Sequence, residues 1–295
     1  MRRQIIVVFF SLLCLALPPA WGADRGALFK ITAYGHTMHL FGTMHVGQVG
    51  FYPLEPRIVA AVKGASTLAL EIDPAENPAL ATQALRTYGE MAAGATRQAL
   101  SPAMRVRLDR ALAKAGIDAA VVAKSRPWMV ATVLAMAEYS RQGYLATLSV
   151  DGHIAQLARA SKVPVIGLES AVFQLSLFNR MPMAEQVSFL EESIGLIESG
   201  KQGAEVSKIA NAWRTADQAA LDEIAARAAS DTSVAGKFVR SVFLEERNEA
   251  MAEKLAQLLE REANTVAAIG VLHLIGANSV PSLLGERGIA VERVY

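Results

Sequence analysis

The sequence predicts an α/β (α+β) fold, a mixed central sheet with a β-hairpin near the N-terminus and a large helical insertion. Apolar runs of strand length recur along the chain, and long helical patterns separate them. The chain has 295 residues, 52% of them hydrophobic, which suits one large domain or two closely packed ones. No linker is rich in Pro, Gly or Ser, so we expect residues 23–295 to form a single domain.

The first 22 residues have the pattern of a secretory signal peptide. Arg2 and Arg3 precede an apolar run, Ile5 to Leu17, and Ala20-Trp21-Gly22 offers small residues at a cleavage site. The run is shorter than the ~20 residues of a membrane span. An uncleaved N-terminal anchor is the alternative. We therefore expect a periplasmic or secreted protein without a stable membrane span after signal cleavage.

Strands are predicted from short apolar runs. Leu28 to Thr32 and Met38 to Phe41 should form the hairpin, with a tight turn at Tyr34-Gly35-His36. The other predicted strands are Thr67 to Ile72, Val163 to Leu168, Thr265 to Ile269 and Ala290 to Val294.

Helices are predicted from periodicity, capping residues and terminal glycines. Ser101-Pro102 is a start signal, Gly116 and Gly143 are end signals, and Asp151 is interpreted as an N-cap. The predicted helices are Pro53 to Lys63, Ser101 to Gly116, Ser125 to Gln142, Asp151 to Ser161, Met183 to Ser199, Ala204 to Ala229 with a break near Thr215, Ser233 to Arg261, and Asn278 to Glu286. The helical insertion should cover roughly residues 75 to 145 and 183 to 262.

Composition excludes several classes of function. Charged residues make up 19% of the chain, the formal net charge is +1, and no basic block indicates nucleic-acid binding. The one cysteine, Cys14, lies in the predicted signal peptide. The mature chain would then have no disulfide, no cysteine nucleophile and no thiolate metal site.

Four apolar strands end in residues that carry chemistry. The segments around them end in His45, Glu71-Ile72-Asp73, Glu169 and His273. In open α/β sheets, ligands bind outside the carboxyl ends of the strands. Imidazole and carboxylate groups gathered there can bind a divalent metal ion or act directly as general base and acid.

Two glycines and one asparagine strengthen this interpretation. Gly42 and Gly270 each stand three residues before a histidine, and a glycine there permits a sharp turn or the close approach of a ligand. Asn248 interrupts an apolar helix face and so needs polar partners, since an unpartnered buried amide costs about 1–3 kcal/mol. With Arg247 beside it, it belongs either to a local structural network or to the site.

The ordered motifs resemble the TraB/PrgY/GumN family, which includes the Tiki proteases. The resemblance runs from about Ala27 to Tyr295. One departure is Ser125-Arg126-Pro127-Trp128, where the family suggests Lys-Pro-Trp. The motifs that carry the resemblance are Phe41-Gly42-Thr43-Met44-His45-Val46-Gly47, Glu71-Ile72-Asp73, Gly167-Leu168-Glu169 with Gln174, Glu246-Arg247-Asn248 and Gly270-Val271-Leu272-His273-Leu274-Ile275-Gly276.

The resemblance implies a fold shared with erythromycin-esterase and ChaN-like proteins and, for the Tiki branch, metal-dependent proteolysis. His45 and His273 match the motif histidines, and Glu71 is the best candidate for a third ligand or a base. The metal would be Mn, Co or Zn. A second carboxylate, Glu71 or Glu169, would accept a proton from the metal-bound water. Arg247 would stabilise the developing oxyanion, and Asn248 with Arg247 would hold or polarise a group in the site.

The sequence thus favours an exported hydrolase, a divalent-metal-dependent peptidase acting on a peptide or small-molecule substrate. Two alternatives stay open. One is a metal-free, esterase-like hydrolase with His45 as general base. The other is a non-catalytic protein that binds peptides or assists polysaccharide export.

Overall fold

A computed structural model describes residues 24–295, so the predicted signal peptide lies outside the described residues. Six strands form one mixed sheet in the order β4-β3-β5-β2-β1-β6. The strands are β1 (Leu28–Ala33), β2 (His36–Thr43), β3 (Thr67–Leu70), β4 (Val165–Gly167), β5 (Asn264–Gly270) and β6 (Ala290–Arg293).

The sheet divides into a parallel part and an antiparallel part. β1 and β2 form the predicted hairpin, with Tyr34 and Gly35 at positive φ in its turn, and β6 pairs antiparallel with β1. β2, β5, β3 and β4 run parallel. The predicted mixed sheet is therefore confirmed, and the ends of its four parallel strands meet at one edge.

Helices fill most of the intervals between strands. They are α1 (Pro56–Lys63), α2 (Pro78–Gly89), α3 (Ala95–Ala99), α4 (Pro102–Ala115), α5 (Pro127–Arg141), α6 (Val150–Ala160), α7 (Ala171–Leu177), α8 (Met183–Glu198), α9 (Lys201–Arg214), α10 (Gln218–Ser230), α11 (Val234–Phe238), α12 (Glu246–Arg261) and α13 (Val280–Glu286).

Local signals located several helix ends correctly. Ser101 accepts a hydrogen bond from the Met104 N–H, and Gly116 ends α4 at positive φ. The predicted break near Thr215 separates α9 from α10. The N-cap of α6 was predicted wrongly, because Ser149 accepts the Gly152 N–H and Asp151 lies inside the first turn. The Asp151 carboxylate is thereby left free for another partner.

The predicted helix from Ser233 to Arg261 is not uniform. A π-helical segment, Val239–Glu245, lies between α11 and α12. Such segments are rare and often lie beside functional sites. Hydrophobic periodicity does not reveal them, since one widened turn changes the apolar face only locally.

The core lies between the sheet and the helices that cover it. The main cluster joins strand residues such as Leu40, Leu68 and Ile269 to Met251 and Leu255 of α12. A second cluster packs α4, α5 and α8 together. An aromatic cluster brings Trp128, Phe178, Phe238 and Phe243 into contact, close to the start of α12. Within residues 24–295, no helix combines the length and the apolar character that crossing a membrane requires.

Candidate functional site

The ends of three parallel strands bring two imidazoles to one carboxylate. His45 follows β2, Glu71 follows β3 and His273 follows β5. Glu71 Oε1 lies 3.7 Å from His45 Nε2 and 3.6 Å from His273 Nε2. The two histidines, far apart in the chain, therefore share one centre, as the strand-end pattern predicted.

Arg247 of α12 binds the other oxygen of this carboxylate. Its Nη2 donates to Glu71 Oε2 at 2.6 Å and lies 2.8 Å from Glu169 Oε2, while its Nη1 donates to the Phe243 carbonyl at 3.0 Å. Gln174 Nε2 also donates to Glu169, at 2.9 Å. The side chains of Arg247, Glu71 and Glu169 are at most 5% exposed. These contacts place Arg247 as the group that holds the two buried carboxylates.

His45 is held on its other side by a carboxylate. Its Nδ1 lies 3.0 Å from Asp151 Oδ2, and the Thr43 hydroxyl donates to Asp151 Oδ1 at 2.5 Å. The His45 side chain is 64% exposed. This imidazole therefore forms the solvent-facing side of the site.

The Nδ1 atom of His273 is bonded to an amide, where that of His45 is bonded to a carboxylate. Its Nδ1 lies 2.6 Å from Asn248 Oδ1, while Asn248 Nδ2 donates to the Asn278 carbonyl at 2.7 Å. Since the amide oxygen only accepts, His273 Nδ1 carries a proton. The His273 side chain is only 4% exposed, in a 3₁₀ turn over Val271–Leu274. The polar partner that Asn248 required is thus a residue of the site.

Gly270 is where the backbone comes closest to the three groups. Its N–H donates to Glu71 Oε1 at 2.6 Å. A Cβ at this position would lie 2.9 Å from that oxygen and 3.3 Å from His45 Nε2. Gly42 differs, because a Cβ there would meet the Val271 side chain instead. Of the two motif glycines, Gly270 is the one that leaves room at the centre.

The surroundings shift the pKa values of the three central groups in different directions. Burial would raise the pKa of the Glu71 carboxyl, but His45, Arg247 and the Gly270 N–H outweigh it and hold that pKa well below its usual range. The Asp151 carboxylate raises the pKa of His45. Burial lowers the pKa of His273 to about 4. At neutral pH the site therefore contains an ionised Glu71 and a neutral His273.

The side chains of the centre are possible ligands for a metal ion. Within the described part of the chain, no three His, Cys, Asp or Glu side chains are grouped closely enough to count as a metal site. The chemistry of the donors nevertheless suits a cation. With its proton on Nδ1, His273 directs an Nε2 lone pair toward Glu71 Oε1, and His45 does the same when neutral. The partners on the two Nδ1 atoms, a carboxylate and an amide oxygen, are those that orient metal-binding histidines.

The predicted residues divide into two groups. His45, His273 and Glu71 form the centre. Arg247 and Asn248 hold Glu71 and His273 in place. Glu169 is in hydrogen-bond contact with Arg247 and Gln174, so it is linked to the imidazoles through Arg247.

Asp151 is the residue that sequence analysis missed. It lies on α6, in a loop-helix segment with no strand-end pattern, and it was explained as a helix cap. The signal that could have indicated its role is Ser149, which occupies the cap position two residues earlier.

Comparisons with known proteins place this geometry in a family. No solved structure matches the chain. A protein of Escherichia coli (strain K12) described as uncharacterized protein YbaP is 24% identical over 273 residues, which cover 90% of this chain and 96% of that protein. The protein of the same name from Shigella flexneri matches equally well. The family model for the TraB/PrgY/gumN family matches residues 27–293, so the chain belongs to the TraB/PrgY/gumN family.

Proposed function

We propose that this protein is a hydrolase and that His45, His273 and Glu71 form its reactive centre, most simply as a divalent-metal-dependent peptidase. The observation that carries the proposal is the approach of both Nε2 atoms to one carboxylate oxygen, at 3.7 and 3.6 Å. Family membership agrees with the proposal without specifying an activity.

Each residue of the centre has a chemical task in this proposal. His45 Nε2, His273 Nε2 and Glu71 Oε1 would hold the ion, and a bound divalent ion supplies Lewis-acid polarisation and a more acidic water. Ligands about 2.1 Å from a tetrahedral ion lie about 3.4 Å apart, so each imidazole Nε2 needs to approach Glu71 Oε1 by only a few tenths of an ångström. The Gly270 N–H and Arg247 keep Glu71 ionised and fixed.

Arg247 and Glu169 act indirectly in this scheme. The guanidinium is occupied by Glu71, Glu169 and the Phe243 carbonyl, so it would reach a substrate oxyanion only by breaking one of these contacts. Glu169 would balance the positive charge of Arg247.

A metal-free hydrolase is a second candidate, and the His45–Asp151 pair favours it. An exposed imidazole whose Nδ1 is bonded to a carboxylate has the arrangement of a general base. In that case His45 Nε2 would take the proton of an attacking water, and Glu71 with Arg247 would fix the local charge. A peptide bond is the proposed substrate in both schemes, on the strength of the family resemblance.

The deciding experiment uses purified protein corresponding to residues 24–295, wild type and His45→Ala. Metal content is measured by mass spectrometry, and hydrolysis of a defined peptide mixture is followed with and without a chelator. Bound Mn, Co or Zn and chelator-sensitive cleavage, both lost in His45→Ala, are expected for the metal-dependent peptidase. Cleavage that survives exhaustive chelation but not His45→Ala would select the metal-free scheme. A wild-type protein that hydrolyses nothing in either condition would overturn the proposal.

A further inference from the structure

The Asp151 carboxylate is placed and oriented for one neighbour. Ser149 caps α6, so Asp151 is not needed for that task. Its Oδ1 accepts from the Thr43 hydroxyl at 2.5 Å, and its Oδ2 lies 3.0 Å from His45 Nδ1. With a side chain only 15% exposed, the carboxylate has one fixed orientation toward the imidazole.

His45 depends on this contact more than His273 depends on any single one. The His45 side chain is 64% exposed, and among the described residues its ring makes one hydrogen bond, to Asp151. An exposed side chain without a fixed partner exchanges between rotamers within nanoseconds. His273 is buried, so packing holds its ring in addition to Asn248.

We infer that Asp151 is a positioning residue that keeps the proton of His45 on Nδ1 and aims its Nε2 at Glu71 Oε1. A carboxylate accepts hydrogen bonds and does not donate them, so only the Nδ1–H form of the ring fits beside it. Thr43 keeps the carboxylate from rotating away. As a role in catalysis, the inference rests on the proposed function, but the ring geometry can be tested without it.

The first test is a two-bond ¹H–¹⁵N correlation spectrum of the histidine rings, followed to a pH above about 10, because the Asp151 carboxylate raises the pKa of His45 and the neutral ring must be observed. The chain has five histidines, so the His45 signals can be assigned by their loss in His45→Gln. Wild type should show a protonated Nδ1. In Asp151→Asn the Thr43 hydroxyl should still donate to the side-chain oxygen, which turns the amide N–H group toward His45 Nδ1, so the ring proton should move to Nε2. An Asp151→Asn spectrum with Nδ1 still protonated would overturn the inference.

The second test is kinetic and uses Thr43→Val as an independent, milder variant. Partners of this kind change activity by about 10–100-fold, so Asp151→Asn should lower kcat at least tenfold while KM stays within about twofold. Thr43→Val should show a smaller loss, and Asp151→Glu a partial recovery. The matched control is Asp109→Asn on α4, since Asp109 pairs with Arg97 and should leave kcat unchanged.

The two tests separate the failure of this inference from the failure of the proposed function. A wild-type protein without hydrolase activity would refute the function, while the spectra would still decide whether Asp151 sets the His45 ring. An active wild type with full kcat in Asp151→Asn would refute the inference and leave the hydrolase standing. Melting temperatures of all variants establish that each one is folded.

Discussion

The two Gly-x-x-His motifs place their imidazoles at almost equal distances from Glu71, yet in contrasting surroundings. His45 follows β2 in an exposed bend and is bonded to the Asp151 carboxylate. His273 sits in a buried 3₁₀ turn and is bonded to the Asn248 amide. One motif thus faces solvent and the other faces the core.

The contrast shows that two similar sequence motifs can supply one site with imidazoles that differ in exposure and in pKa. The exposed imidazole is accessible to water and substrate, and the carboxylate behind it raises its pKa. The buried imidazole stays neutral, because burial lowers its pKa to about 4. Substitutions of His45 and His273 should therefore have different consequences for stability, even though the proposed function predicts that both abolish hydrolysis.

The largest effect is expected at Glu71, the carboxylate that both imidazoles approach. Glu71→Gln removes a buried charge that faces Arg247 and both imidazoles, so hydrolysis should be lost and stability should fall by about 3 kcal/mol. Urea unfolding and peptide hydrolysis measure the two effects. Glu169→Gln is the matched control, because it removes the other carboxylate on Arg247 but faces neither imidazole. It should cost similar stability and leave measurable hydrolysis, and equal losses of activity would contradict this account.

Truncation should then separate the two histidines. His273→Ala leaves a buried cavity and an unpaired Asn248 oxygen, which should lower the free energy of unfolding by roughly 3 kcal/mol. His45→Ala removes an exposed side chain, so its effect on unfolding should stay within about 1 kcal/mol. Chemical denaturation at neutral pH makes the comparison. Equal destabilisation by the two variants would show that His45 and His273 do not differ in burial as described.

A pH dependence should follow from the neutral state of His273. Its folded-state pKa, about 4, lies below its unfolded value near 6.5, so the unfolded state binds the proton first as pH falls. The stability that this group contributes is complete above pH ~6.5 and is lost as pH falls toward 4. Between pH ~7 and ~5, wild type should lose about 2 kcal/mol more than His273→Gln. Parallel urea titrations of the two proteins test this, and identical pH profiles would refute a buried neutral His273.

A small stability effect is expected at Gly270, beside both imidazoles. An added Cβ would lie 2.9 Å from Glu71 Oε1 and 3.3 Å from His45 Nε2, so the site must shift. Gly270→Ala should cost about 1 kcal/mol in stability but lower kcat more than tenfold. Gly285→Ala is the control, since a Cβ there meets nothing within 4 Å. Full activity in Gly270→Ala would mean that the space over Gly270 is not part of the reactive centre.

Much of this arrangement could be predicted from the sequence because it rests on local patterns. Apolar runs marked the strands, and the polar residues that end them identified Glu71, His45 and His273. The parallel order of those strands then brings their ends together. Asn248 was recognisable as an amide that interrupts an apolar face.

What the sequence did not predict depends on contacts between distant segments. Asp151 meets His45 only because the start of α6 lies beside the segment that follows β2, where the Val150 N–H donates to the Met44 carbonyl, and no spacing within either segment records this. β4 was predicted over six residues but is a three-residue edge strand, since it has only β3 as a partner. The π-helical segment before Arg247 is a local widening of the helix that a periodicity of about 3.6 does not reveal.

The most direct test of a shared reactive centre is hydrolysis of a defined peptide mixture by wild type, His45→Ala and His273→Gln, with folding of each protein verified by its unfolding curve. The account predicts that wild type cleaves peptides and that both folded variants lose cleavage by at least a hundredfold. Cleavage by either variant at the wild-type rate would contradict it, because the two imidazoles would then not act at one centre.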